Sequence, residues 1–319
     1  MVILNLGTQP EKTEVRMSPK LKKNPLSKQQ KNKMHAYLFV LPAMLFFLFM
    51  IAYPLITVVW DSFHFKNLLN SAESAFAGFD NYITVIRNEN FSNALSNTVI
   101  WTVLSVAGEF ILGLISAIAL NQQIKGRAIF RGVIIIPWVV PIVVAGMTWT
   151  WMLTPDYGIL NYLLTKGGII DKPYYWLGEM NSALLTVTFV NIWRSFPYYT
   201  ICILAALQSI PKELLEAASI DGAGVMNRFF KVVLPQLKGV SFVLIFIHLI
   251  WTSINFDFIW VMTEGGPLNS TETLPIMIYR YALKEFDVGT ASSLASMMIG
   301  FMITIFVVNY YYNARKKQA

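Results

Sequence analysis

Apolar residues dominate six stretches of the chain, at about 36–60, 95–120, 131–153, 184–207, 239–262 and 291–312. Each is close to the ~20 residues a helix needs to cross a hydrocarbon layer. Polar and charged residues fill the intervals, and turn formers (Pro155, Gly158, Gly167, Gly168 and Pro173) collect in one of them. No strand pattern is visible. The pattern predicts an all-α membrane protein with six transmembrane helices. It divides the chain into a basic N-terminal tail over 1–35, a six-helix domain over 36–312 and a basic C-terminal tail over 313–319.

Three apolar stretches carry polar side chains at helical spacing. Such groups are costly in a membrane and face the bundle interior or a water-filled path. In the fourth stretch, Asn191, Arg194, Ser195, Tyr198 and Cys202 fall at i, i+3, i+4, i+7 and i+11, on one side of a helix. Pro197 should kink that helix and free the carbonyl of Trp193. In the fifth, His248, Trp251, Thr252 and Asn255 repeat the spacing, with Asp257 on the opposite face. In the second, Ser105, Gly108, Glu109 and Ser116 make a small and polar face.

Two explanations compete for these faces: contact between helices, or a solute path. Small residues favour contact in the second stretch. The path is favoured in the fourth and fifth. Aromatic rings there can stack on the apolar face of a pyranose, and amides and hydroxyls can match its OH groups. Arg194 and Glu109 sit at similar depths, so an ion pair between them is expected. A lone arginine at that depth costs about 2.5 kcal/mol or more.

Composition narrows the class. Of 319 residues 55% are hydrophobic and 13% charged, against about 25% charged in a soluble domain. The net charge of +7 does not point to nucleic acid, because Lys and Arg sit at the ends of the apolar runs. Eighteen of them fall in the N-terminal tail, the stretch 121–131, the stretch 208–238 and the C-terminal tail; six fall on the other side. Positive charge stays inside, so both termini and 208–238 are expected in the cytoplasm. Cys202 is the one cysteine, and His35, His64 and His248 are scattered, so neither a disulfide nor a metal site is expected. There is no phosphate-binding loop and no catalytic spacing, so the chain is not expected to be an enzyme. The first 35 residues are too polar to read as a cleavable signal.

The loop Pro211–Gly239 is polar and basic between two apolar runs. Pro211, Glu213 and Glu216 suit a helix start, and Gly222 and Gly224 can end it. Glu216-Ala217-Ala218, then Gly222, then Val232-x-Leu234-Pro235 resembles the EAA loop of binding-protein-dependent ABC importer permeases. Further stretches are similar to the sugar-type members: Gly78-Phe79-Asp80-Asn81-Tyr82, Phe91 to Asn97-Thr98, Ala206 to Pro211, and Thr263-Glu264-Gly265-Gly266-Pro267. Over 36–312 the chain looks like the maltose-transporter F-subunit and glycerol-3-phosphate-transporter A-subunit group.

That resemblance implies a type I ABC importer permease fold in the bacterial cytoplasmic (inner) membrane. It implies a permease for di- or oligosaccharides, moved by a motor on other chains. The partners would be a second homologous permease, two ATP-binding subunits (one kind or two), an extracytoplasmic solute-binding protein and lipid. ATP and Mg would be bound by partner subunits, with no cofactor in this chain. Glu216, Ala217, Ala218, Asp221 and Gly222 would form the coupling helix that docks on the ATPase. The sugar pocket carried over falls on Trp138 and Ile142, on Trp193, Arg194, Ser195 and Tyr198, and on His248, Trp251, Thr252 and Asn255. Arg194, His248 and Ile142 depart from the maltose pattern, which admits acidic saccharides (uronate oligosaccharides) or glycerol 3-phosphate. A different class is an ion-coupled secondary transporter with Glu109 and Asp257 as coupling carboxylates. Such a carrier has no need of the Glu216 loop.

Overall fold

The computed structural model describes residues 28–70, 74–122 and 125–316. Expectations for 1–27 and 317–319 lie outside these residues. Two compact units are present, one ending at Leu55 and one beginning at Ile56. In the first, α1 (Lys28–Phe47) passes into a π turn at Leu48–Ala52. This helix starts at Lys28, inside the stretch expected to be a tail.

After α2 (Tyr53–Asp61), β1 (His64–Phe65) and β2 (Ala75–Phe76) pair as an antiparallel hairpin, too short for a hydropathy pattern to reveal. Then come α3 (Asp80–Arg87), α4 (Glu89–Asn121), α5 (Arg127–Val139), α6 (Ile142–Leu153) and α7 (Ile159–Lys166). α8 (Met180–Gln208), α9 (Lys212–Ile220), α10 (Val225–Arg228) and α11 (Leu234–Ser253) follow. The unit closes with α12 (Asp257–Thr263), α13 (Leu274–Tyr279) and α14 (Val288–Lys316). α4 starts where Asn88 Oδ1 accepts the Asn90 N–H at 2.8 Å, with Glu89 in its first turn. Both features suit the positive end of a helix.

Among the described residues, four spans are long and apolar enough to cross a membrane: Ala36–Asp61, Glu89–Asn121, Val225–Ser253 and Val288–Val307. α5 and α6 together make a fifth if their bend is one broken span. α8 is 29 residues long but not among them, because Asn191, Arg194 and Pro197 dilute its middle.

Two of the expected helices are broken. The stretch 131–153 bends by 92° between α5 and α6, at Val140–Pro141. Pro141 has no N–H to continue the ladder. The stretch 239–262 stops at Ser253 and resumes at Asp257. In contrast α8 runs through Pro197 without interruption.

The second unit is built on the seam between α4 and α8, and glycine sets its closeness. A Cβ on Gly108 would lie 2.4 Å from Ile192 Cδ1, and one on Gly113 would lie 2.4 Å from Tyr199 Cβ. The small face of α4 is therefore a helix contact. α11 packs beside this seam through Leu237 and Leu244, against Tyr199, Ile203 and Leu207. A second cluster joins Trp101, Val187 and Val190 to Phe258 and Ile259 of α12.

The connection 264–273 is held down on the start of α4. Asn93 and Asn97 donate to the Asn269 carbonyl at 2.7 and 3.3 Å, and Asn97 also donates to the Glu272 carbonyl at 3.0 Å. Thr98 Oγ1 accepts the Leu274 N–H at 2.9 Å. Arg280 Nη1 lies 2.9 Å from Glu272 Oε1 and donates to Asn269 Oδ1 at 2.9 Å. Burial holds the Glu272 carboxyl above the usual carboxylate range, and the Arg280 guanidinium pulls it back down.

Two outcomes follow from this packing. Gly113→Val forces a branched side chain into the α4–α8 seam and should cost about 1–3 kcal/mol, read as a lower melting temperature of the solubilised protein. Arg280→Met should cost roughly 2 kcal/mol at neutral pH, less than the 3–5 of a fully buried pair, since the Arg280 side chain is 34% exposed. Without Arg280 the carboxyl titrates still higher in the folded state. The variant should then be most stable below the unfolded carboxylate range and lose stability as pH rises through the folded value. Melting curves at pH 5 and 8 measure this; a penalty that grows toward acid would contradict it.

Candidate functional site

The polar faces of α4, α8 and α11 meet at Glu109, which is 1% exposed. Its Oε2 lies 2.8 Å from His248 Nδ1, and its Oε1 accepts from Asn191 Nδ2 at 3.0 Å. One carboxylate thus ties three helices. A buried carboxylate is tolerated where every oxygen has a donor.

Arg194 is not in that contact, contrary to the expected ion pair. Its Nε–H donates to the Val140 carbonyl at 3.2 Å, one residue before Pro141 at the α5–α6 bend. The physical reason is geometric. Depth along a helix says how high two groups sit, not which way they point. The break leaves a carbonyl in need of a donor, and the long guanidinium stem reaches it.

Around this centre the rings form a run across three helices. Trp138 and Tyr198 have centroids 5.7 Å apart, Tyr198 and His248 5.2 Å, and His248 and Trp251 5.6 Å. Trp138 and Trp251 are 41% and 57% exposed, so the run ends on open surfaces. Ser195 and Thr252 are buried, and the Thr252 carbonyl takes the Trp101 indole N–H at 2.9 Å. Ile142 opens α6, just past the bend.

Two residues expected with these, Trp193 from the resemblance and Asn255 from spacing, are elsewhere. Trp193 packs on Trp149 at 5.3 Å, in the cluster that holds Phe258. Asn255 lies past the end of α11, and its Oδ1 accepts the Phe258 N–H at 3.3 Å, capping α12. The helical spacing that placed it beside Thr252 ends at Ser253. Tyr199, which the spacing argument left out, is fully buried with its ring 4.5 Å from His248. Its signal was the same i+4 step from Ser195 that marks the stripe.

On the connection between α8 and α11, α9 carries Glu216, Ala217 and Ala218, and Asp221 and Gly222 close it. The Asp221 N–H donates to the Ala217 carbonyl at 3.0 Å and the Ala223 N–H to the Ala218 carbonyl at 2.9 Å. Gly222 has φ +75°, which glycine adopts without strain. At about 1.5 Å per residue the helix is roughly 13 Å long. Glu216 and Ala217 are exposed, and Ile220, Val225 and Met226 are 86%, 77% and 68% exposed. Exposed apolar side chains on a polar loop are the kind of surface that protein contacts use.

Comparison with known proteins gives consistent matches. Residues 109–318 match the model of the family described as binding-protein-dependent transport system inner membrane component. The chain is 35% identical over 270 residues to the trehalose/maltose transport system permease protein MalF of Thermococcus litoralis, covering 84% of this chain and 90% of the relative. It is 33% identical over 278 residues to the sn-glycerol-3-phosphate transport system permease protein UgpA of Agrobacterium fabrum, covering 86% and 94%. Among solved structures it is similar in fold to a chain of a bacterial ABC transporter involved in import of the acidic polysaccharide alginate. The TM-score is 0.76 at 23% identity, over 90% of this chain and 98% of that one.

Glu109→Leu should lower stability by about 3 kcal/mol, because His248 and Asn191 lose their shared acceptor inside the bundle. Adding His248→Leu should recover at least half of that loss. Adding Arg194→Gln should recover none. Thermal unfolding of the solubilised protein compares the three, and recovery by the Arg194 change would contradict the assignment.

Proposed function

Since the chain belongs to the family of binding-protein-dependent transport system inner membrane components, we propose that it is the membrane-spanning permease subunit of an ATP-driven sugar importer. The observation that carries the sugar assignment is the run Trp138, Tyr198, His248 and Trp251, set beside Arg194 and the buried Glu109. Rings of this kind stack on pyranose faces, and polar groups between them match hydroxyls. Relatives named for trehalose and maltose support a di- or oligosaccharide.

Acidic saccharides are the second reading, and one observation favours it. Arg194 makes no ion pair with Glu109, and its Nε–H goes to a backbone carbonyl. Its guanidinium charge is then available to a carboxylate or sulfonate on the solute. Relatives named for sulfoquinovosyl glycerol and for sn-glycerol 3-phosphate are in keeping with this. An ion-coupled carrier is disfavoured, because such a carrier has no need of the Glu216 loop.

In this reading both termini and α9 face the cytoplasm of a bacterial cell, and the chain spans the inner membrane six times. A second permease pairs with it. Two ATP-binding subunits take α9, with Glu216, Ala217, Ala218, Asp221 and Gly222 at the contact. A solute-binding protein delivers sugar from outside. ATP-driven closure of the motor changes the relative free energy of inward-open and outward-open conformers, which is all the shift requires.

ATPase activity of the reconstituted transporter across a saccharide panel tests the assignment. Neutral di- and oligosaccharides should stimulate it, with uronate oligosaccharides doing so under the second reading; stimulation by no saccharide would refute both. Gly222→Pro imposes φ near −65° where the chain needs +75°. It should cut sugar-stimulated uptake at least tenfold while the α4–α8 bundle keeps its melting temperature. Wild-type uptake in this variant would remove the coupling role from α9.

A further inference from the structure

Several buried polar atoms of the bundle have no hydrogen-bond partner, Tyr199 Oη and Ser105 Oγ among them, and one is a ring nitrogen. His248 Nε2 is buried and without a hydrogen-bond partner, on a residue 7% exposed. Its ring lies between Tyr198, Tyr199 and Trp251, with centroids 5.2, 4.5 and 5.6 Å away. Buried polar atoms are normally satisfied, so an orphan is a place where something else can bind.

The other side of the ring decides what Nε2 is. Nδ1 lies 2.8 Å from Glu109 Oε2, and Glu109 Oε1 already accepts from Asn191 at 3.0 Å. With Glu109 ionised, its carboxylate only accepts, and Nδ1 carries the proton and donates it. In a neutral imidazole Nε2 is then a bare lone pair.

We infer that Glu109 is a positioning residue: it holds His248 in the Nδ1–H form so that Nε2 accepts a hydrogen bond from a substrate hydroxyl. This rests on the sugar-path reading and refines it. The rings that would stack on a sugar flank the nitrogen that takes its O–H. A lone pair there welcomes a hydroxyl and repels a carboxylate oxygen. Neutral, hydroxyl-bearing rings are therefore selected at His248, whatever Arg194 admits on its own side. A purely structural tie between α4, α8 and α11 would leave solute affinity alone.

The test uses the intact transporter, purified through a tag on this chain and placed in lipid nanodiscs with ¹⁵N-labelled histidine. The His248 resonances are those lost in His248→Leu. Expected are a protonated Nδ1 and a bare Nε2 in the wild type, the same in Glu109→Gln, and mixed tautomers in Glu109→Leu. Uptake is followed with trehalose, maltose or an alginate oligosaccharide, whichever stimulates the ATPase. His248→Leu and Glu109→Leu should each raise KM on the order of tenfold with kcat within about twofold, as for one lost hydrogen bond. The double variant should raise it no further, and Glu109→Gln should stay within about threefold. A protonated Nε2 in the wild type overturns the inference. So does a normal KM in Glu109→Leu when His248→Leu is impaired. A normal KM in His248→Leu removes the sugar path at this residue, and the inference with it. Should Glu109→Leu fail to assemble, the wild-type tautomer decides.

Discussion

A backbone carbonyl or N–H inside a membrane must find its partner in the protein, because lipid has none to offer. An unbroken helix meets this demand by itself. This chain breaks its helices at two places, and both breaks are answered by side chains from other helices or from the break itself. Arg194 of α8 supplies a donor to Val140 at the α5–α6 bend. Trp101 of α4 supplies one to Thr252 near the end of α11, and Asn255 receives the Phe258 N–H where α12 begins. The same economy holds at the connection between α12 and α13, where Asn93, Asn97 and Thr98 serve the backbone of 269–274. Polar side chains in these helices are accordingly spent first on geometry.

That economy shapes the candidate path. The bend at Val140–Pro141 leaves Trp138 next to Tyr198, and the rings continue to His248 and Trp251. The tight α4–α8 seam, enforced by Gly108 and Gly113, brings Glu109 within reach of Asn191 and His248. A rigid seam and two broken helices sit side by side. Packed helices transmit displacement well, and breaks are where it can be taken up. A permease that alternates between two conformers needs both kinds of element.

α9 follows a different logic. It is short, exposed and closed by a glycine in the left-handed region, with Ile220 at its end and Val225 and Met226 of α10 beyond it turned to solvent. None of the described residues buries those side chains. A helix this short gains little stability alone, and the contact proposed for it would cover its exposed apolar side chains.

Much of this was legible from order along the chain. The hydrophobic runs located the long apolar helices, and the residues of α9 stood out because a polar helix between two apolar ones has few uses. The stripes on α4, α8 and α11 were legible because helical periodicity reports which residues share a face. What periodicity does not contain is the direction each face takes relative to its neighbours. Glu109 therefore finds His248 and Asn191 instead of Arg194, and Trp193 turns to Trp149. Nor does it contain the breaks at Pro141 and Ser253, since hydropathy continues across both while the hydrogen-bond ladder does not. Local pattern determined the elements; only packing, which sets azimuth and distance between helices, decided which polar groups meet.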